Sequence, residues 1–230
     1  MNRSRIALAC AVLCGAMAAF APVSAKAGRQ IYEYRVQHPT FGDIGTYTNT
    51  IDRLGNRTEV TTELHVAVKM LGMVVYRQEA ERTERWQGGR MIAFHSVTTT
   101  NGNTLKVDGE AQGGNFVITT PTGVFTAPAN VHPTNPWSPQ VFDSNIMMST
   151  KTGEFWQASV SDSGQDDVTV DGQTLKLHRY DIYGRKHDVV WLDGNGVTVA
   201  FEAGQDDKPV DFQLTRSLNE PEYVSADLSR

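Results

Sequence analysis

Six histidines, His38, His65, His95, His132, His178 and His187, are the residues of this chain best suited to acid–base or metal chemistry. Their spacing decides what each can do. Asn101-Gly102 separates two runs of alternating polarity and suits the positive φ angles of a type I′ turn. A two-residue turn there pairs Thr100 with Asn103, and counting back sets His95 opposite Asp108. Ile92, Phe94, Leu105 and Val107 then share the other face, so His95 reads as the wet-face partner of a carboxylate. His65 shares its parity with Glu63 and Lys69 and reads the same way.

The segment from Leu177 to Asp188 is the richest in polar groups. A turn at Gly184-Arg185 sets Ile182 opposite His187, Tyr180 opposite Val189 and His178 opposite Trp191. Both imidazoles then share a face with Trp191 but stand about 13 Å apart along the ladder. A zinc ion, bound at about 2.0–2.1 Å, cannot take both. Leu175 and Leu177 fall on the opposite parity, which a bulge would reconcile. Asp162, Asp166 and Asp167 lack the remaining positions of a calcium loop and read as a solvated turn. No nucleophile elbow, His-Glu-x-x-His helix, phosphate loop or dinucleotide fingerprint occurs. The expectation is no catalytic residue, no metal site and no cofactor.

Aromatic side chains are the alternative. Trp86, Trp137, Trp156 and Trp191, with Tyr76, Phe94 and Phe155, either fill a core or line a concave apolar site. Trp137, Trp191, Trp86, Tyr180 and His178 are the candidate ligand-binding residues, suited to a lipid or another apolar small molecule.

The elements that must position them are strands. Tyr32, Tyr34 and Val36 alternate with polar neighbours, and Val60, Leu64, Val66, Val68 and Met70 share one parity against Glu59, Thr61, Glu63, His65 and Lys69. Asp171-Gly172 marks a second tight hairpin, and Asn195-Gly196 a further turn. The pattern predicts an all-β fold: a strongly curved antiparallel meander, or half-barrel, of about a dozen strands. Pro121, Pro128, Pro133, Pro136 and Pro139 interrupt it, and Ser138-Pro139 resembles the start of a short helix reaching about Met148. Residues 121–148 are therefore expected to form a proline-rich flap and short helix over the concave site.

Composition narrows the function. The 230 residues, 40% hydrophobic and 20% charged, suit one globular domain. A net charge of -5 argues against a nucleic-acid partner, whose phosphates need a basic surface. Arg3 and Arg5 precede an uncharged apolar run from Ile6 to Phe20, and small-x-small sites end at Ala25 and Ala27. Residues 1–27 thus read as a secretory signal peptide, leaving residues 28–230 as a single β domain with no membrane-spanning segment. Both cysteines, Cys10 and Cys14, lie in that leader, so the exported chain has no disulfide.

A resemblance follows from the order and spacing of several runs. These are Phe41-Gly42-Asp43-Ile44-Gly45-Thr46, Val75-Tyr76, Glu84 to Met91, Asn101-Gly102, Asn135-Pro136-Trp137, His178-Arg179-Tyr180 and Val190-Trp191-Leu192-Asp193. Together, over about residues 30 to 216, they resemble a domain-of-unknown-function family of exported bacterial β proteins, numbered six-one-three-four. Asn135-Pro136-Trp137 stands where that family has an aromatic-Trp-Asn arrangement. The resemblance implies export and a β fold, and it carries no activity. The leading expectation is a periplasmic or secreted protein that binds an apolar or amphipathic envelope molecule without catalysis. An envelope assembly or scaffold protein acting through a protein interface is the second reading, and an uncharacterised enzyme the third.

The exported chain is expected to begin at Lys26 or Gly28. N-terminal sequencing of the secreted protein checks this; an intact Met1 or a lipid-modified Cys14 overturns the reading.

Overall fold

Period-two alternation builds this chain almost entirely from strands. The computed structural model describes residues 28–205 and 208–221; the leader with Cys10 and Cys14 lies outside the described residues. Strands β1 (Gly28–His38), β2 (Gly42–Leu54), β3 (Arg57–Met70), β4 (Met73–Gln87), β5 (Arg90–Thr100), β6 (Asn103–Gln112), β7 (Asn115–Thr120) and β8 (Gly123–Pro128) form successive antiparallel hairpins. An insert follows, carrying the short strands β9 (His132–Pro133), β10 (Ile146–Met148) and β11 (Phe155–Gln157) in a sheet of their own. The meander resumes with β12 (Ser159–Val170), β13 (Gln173–Tyr183), β14 (His187–Leu192), β15 (Thr198–Gln205) and β16 (Lys208–Pro221).

β16 pairs with β1, with Val36 opposite Phe212, so thirteen strands form one sheet in the order β12 to β16, then β1 to β8. Its edges, β8 and β12, do not pair with each other. The insert fills the concave side instead. Its Val131, Trp137 and Met148 join the same core as Tyr34 of β1, Phe94 of β5, Phe116 of β7 and Phe201 of β15. Two glycines let it touch both flanks. A Cβ on Gly153 would fall 2.9 Å from Ile118 and Val107, and one on Gly184 would fall 2.4 Å from the Trp156 indole nitrogen.

The Asn101-Gly102 and Asp171-Gly172 hairpins have the expected register, with Thr100 opposite Asn103, His95 opposite Asp108, and Val170 opposite Gln173. His95 Nδ1 lies 2.6 Å from Asp108. Several expectations need correction. The short helix is a single 3-10 turn, Pro139–Asp143, because the chain re-enters an extended conformation at Ser144 to form β10. Residues 121–148 are not a flap laid over the sheet. Pro121 lies in the β7–β8 turn, Pro128 ends edge strand β8, and Val131, Asn135, Trp137, Val141, Met147 and Met148 are packed inside. An edge strand tolerates a missing N–H donor. Met70 is exposed, because β3 outruns β2 there. Asp162, Asp166 and Asp167 lie on β12, with its bulge between Asp162 and Gly164. Gly184–Lys186 form a three-residue loop, so Tyr183 faces His187, and His178 faces Leu192.

That one-residue slip reverses faces. Tyr180, Ile182, Val190 and Leu192 pack into the main core, while Leu177, Val189 and Trp191 form a second cluster on the convex side. The long β12–β13 hairpin curls over this convex face, and its tip residue Asp171 pairs with Arg35 of β1. Leu175 packs against the same cluster, so its parity needs no bulge in β13.

Gly45 shows how closely the ladder packs. A Cβ there would fall 1.9 Å from the His65 carbonyl oxygen, whereas one on Gly55 meets nothing within 4 Å. Gly45→Ala is expected to cost about 2–4 kcal/mol in urea unfolding, as overpacking does. Gly55→Ala is expected to cost about 1–2 kcal/mol, from its positive φ alone. Equal losses would show that the ladder yields at Gly45.

Candidate functional site

The inner face of β4 carries Ala80, Arg82, Glu84 and Trp86, so two charged residues lie inside the sheet. Glu84 has no solvent exposure. Its carboxylate accepts the indole N–H of Trp86 at 3.0 Å, that of Trp137 at 2.9 Å, and Asn135 Nδ2 at 2.8 Å. Asn135, equally buried, accepts at Oδ1 from the Tyr47 hydroxyl at 2.6 Å and Asn49 Nδ2 at 3.2 Å. Its Nδ2 also donates to Thr62 Oγ1 at 3.1 Å. The amide and the carboxylate are thus fully partnered, as buried polar groups must be. The backbone supports this arrangement through two tight turns, Asn135 N–H to Pro133 O at 2.8 Å and Trp137 N–H to Asn135 O at 2.9 Å.

Electrostatics pull Glu84 both ways. Burial pushes its carboxyl up to about 7, against its three donors and the charge of Arg82. Arg82 is lowered by its own burial, and burial pushes the Tyr47 hydroxyl up to about 12. The indoles seal the group: Trp86 and Trp137 meet edge to face at 5.8 Å, and His132 packs edge-on to Trp86 at 4.9 Å. With both carboxylate oxygens accepting from protein donors, the cluster acts as a fastener between sheet and insert.

A cavity of about 470 Å³ lies beside it, between the insert and β13–β15. Asn135 and Pro136 form one wall, and Val141, Met147, Trp156, Ile182, Val190 and Phe201 form an apolar floor. Lys151, Glu154, Arg185, Lys186 and Asp188 stand around the mouth. Arg185 pairs with Glu154 at 2.5 Å and lies 5.7 Å above the Trp156 ring. The mouth exists because β14 and β15 pair only from Val189 and Glu202, leaving the start of one and the end of the other splayed. A floor of this kind with a charged rim suits an amphipathic molecule.

None of the five aromatic and histidine candidates lines this cavity. Trp86 and Trp137 are brought together, but around Glu84. Trp191 lies on the convex face, donating to Asp166 at 3.2 Å under the Arg179 guanidinium. Tyr180 stacks on Phe142 with ring centres 4.5 Å apart, and His178 Nε2 lies 2.6 Å from Asp162. On the convex face Asp181 is held well below the usual carboxylate range by bidentate Arg179, with Ser163 and His187 also on its oxygens. Among the described residues, no group of three or more His, Cys, Asp or Glu could hold a metal ion. Sequence reasoning missed Glu84 and Asn135, although Glu84 shares its parity with Ala80 and Trp86, which was a usable signal.

Residues 42–215 match the family described as Domain of unknown function (DUF6134). No curated protein matches the chain. Among solved structures, the crystal structure of a β-barrel-like protein of Domain of Unknown Function DUF1849 from Brucella abortus is similar, with a TM-score of 0.60. The match covers 84% of this chain and 97% of that one at 10% identity, a likeness of fold alone.

Glu84 makes stability depend on pH in a predictable direction. Its folded value of about 7 lies above the unfolded carboxylate value of about 4.3, so protonation favours the fold. That contribution, at most about 4 kcal/mol, is complete below about pH 4 and is lost as pH rises through 7. Urea midpoints between pH 5 and 8 should fall for the natural protein and fall less for Glu84→Gln. The variant should also be weaker at pH 5 by about 1–3 kcal/mol, because an amide cannot accept from all three donors. Identical pH slopes would show that Glu84 does not titrate in this range.

Proposed function

This chain belongs to the DUF6134 family, and we propose that it is an exported, periplasmic binding protein that holds an amphipathic envelope molecule in the cavity between insert and sheet. The observation that carries this reading is the cavity itself, with its apolar floor and charged mouth. An acyl or other hydrocarbon portion would lie over Met147, Ile182, Val190 and Phe201, gaining about 25 cal/mol for each Å² of apolar surface removed from water. The polar end would remain at the mouth, beside Lys151, Arg185 and Lys186, where water and fixed charges meet it. Export rests on the leader read over residues 1–27, and binding without catalysis rests on the sealed state of Glu84, whose oxygens are committed to protein donors.

The test is titration with dansyl-labelled undecanoic acid, alongside native mass spectrometry of the purified protein for a co-purified lipid. Ala203, a small residue of the cavity wall, offers the informative variant. Ala203→Trp fills the space and is expected to weaken dye binding by at least about tenfold, or about 1.4 kcal/mol. A control, Asn56→Trp in the distant β2–β3 turn, should leave it unchanged. Absence of dye binding, or equal binding by natural protein and Ala203→Trp, overturns the proposal.

A further inference from the structure

In an antiparallel meander every second turn lies on the same rim. The β1–β2, β3–β4, β5–β6 and β7–β8 turns therefore share one rim, and the register through β16 and β1 places the β13–β14 turn and the cavity mouth there too. The two rims are dressed differently. Phe41 in the β1–β2 turn, Val124 and Phe125 after the β7–β8 turn, and Tyr183 before Gly184 are exposed on this rim. Among the turns of the opposite rim, Leu54 is the large apolar side chain exposed in the described residues.

The β3–β4 hairpin makes the asymmetry sharpest. β2 leaves β3 after Gly45 opposite Val66, and β5 leaves β4 after Thr100 opposite Gln78, yet β3 and β4 stay paired to Met70 opposite Met73. Val68 is still buried in the core, so two to three residues of each strand, Lys69–Met70 and Met73–Val75, or roughly 7–10 Å, project beyond the packed sheet. Leu71 at the tip is 94% exposed, and Met70, Met73, Val74 and Val75 are between 45% and 66% exposed. Leu71 also has a φ of 52°, at the turn position that the chain gives to Asn101, Asp171, Gly55, Gly88 and Gly113 in other tight hairpins. Asn, Asp and Gly suit that conformation and leucine does not, so the residue there is not explained by the turn.

We propose that this rim docks on a lipid bilayer, with the β3–β4 tip inserted among the headgroups and the upper acyl chains. Successive strand residues point to opposite faces, so Met73, Val74 and Val75 make the tip apolar on both sides. A groove on a protein partner would bury one face and leave the other in water; a lipid interface surrounds both. The projection is too short for a hydrocarbon core of about 30 Å, which fixes the mode as interfacial insertion. Lys69, opposite Val74, and exposed Arg77, opposite Ala67, stand at the base of the tip, at the height where anionic headgroups would lie. This surface is separate from the cavity, although the mouth opens on the same rim.

Residues 28–230 contain no cysteine, so Leu71→Cys and, on the opposite rim, Asn56→Cys each give the secreted protein a single labelling position. With an environment-sensitive NBD label and vesicles of phosphatidylglycerol and phosphatidylethanolamine in equal parts, emission from position 71 should shift to the blue and brighten, and emission from position 56 should not. Leu71→Asp in the unlabelled protein should weaken vesicle co-sedimentation by about tenfold while keeping its fold by circular dichroism. It should also keep its affinity for dansyl-undecanoic acid, which separates this proposal from the cavity reading. An unshifted label at position 71, equal shifts at both positions, or undiminished sedimentation of Leu71→Asp would overturn it. So would a shift without vesicles that grows with protein concentration, which would assign the tip to a second copy of the chain.

Discussion

A carboxylate sealed inside a sheet must find its donors nearby, and Glu84 takes two of its three from a segment outside that sheet. This one group therefore joins two parts that sequence keeps far apart: Asn135 is 51 residues from Glu84 and Trp137 is 53. Removing a partner would leave a buried charge or a buried donor unsatisfied, which costs more than the pair contributes when complete. An apolar contact would tolerate sliding of the insert; three directed hydrogen bonds fix its position and depth. The cavity depends on that depth, because Asn135 is both a ligand of Glu84 and part of the cavity wall.

An open sheet of thirteen strands has two edges to protect. β8 is short and ends on Pro128, while β12 carries Asp162, Asp166 and Asp167. Strand β12 is further occupied by its own hairpin, which bends over the convex face and covers Leu177, Val189 and Trp191. Arg179 and Asp181 sit beneath that fold, and their bidentate pair binds neighbouring positions of β13 to Ser163 and Asp166 of β12. The concave side is closed by the insert and this part of the convex side by the hairpin, so Val189–Leu192 of β14 and Thr198–Phe201 of β15 are buried on both faces.

Much of this was legible in the residues because strand parity and turn chemistry are local. Tyr34, Val60 and Phe94 announce the inner face, and Asn101-Gly102 fixes a register that places His95 against Asp108. The candidate site was less legible. Tryptophans were the visible signal, yet two of them serve Glu84 and one serves the convex cluster, because an indole N–H makes an aromatic residue useful wherever a buried acceptor needs a donor. The slip at Gly184 could not be read from spacing: the residue there packs against Trp156, far along the chain, which occupies the space a Cβ would need. Prolines in the insert suggested an external flap, but they mark only the absence of ladder pairing; what draws the segment inward is the Glu84 carboxylate, invisible until β3, β4 and the insert are placed together.

Topology explains why one insert forms both the fastener and the cavity. Strand β8 ends at the rim opposite the mouth, and β12 begins at the mouth rim, since alternate strands reverse direction. The chain between them must therefore cross the interior once, from one rim to the other. Its order along the sequence becomes an order of depth: Val131 to Trp137 meet Glu84 in the middle of the sheet, and Lys151 to Trp156 arrive at the opening beside Arg185. A segment confined to one rim could have sealed an edge or lined a mouth, but not both. The crossing also explains the charge distribution along the insert. Residues 131–137 meet a sealed acid and carry neutral donors, whereas residues 151–154 reach water and carry Lys151 and Glu154. The same crossing that secures the sheet thus delivers the charged groups that frame the entrance.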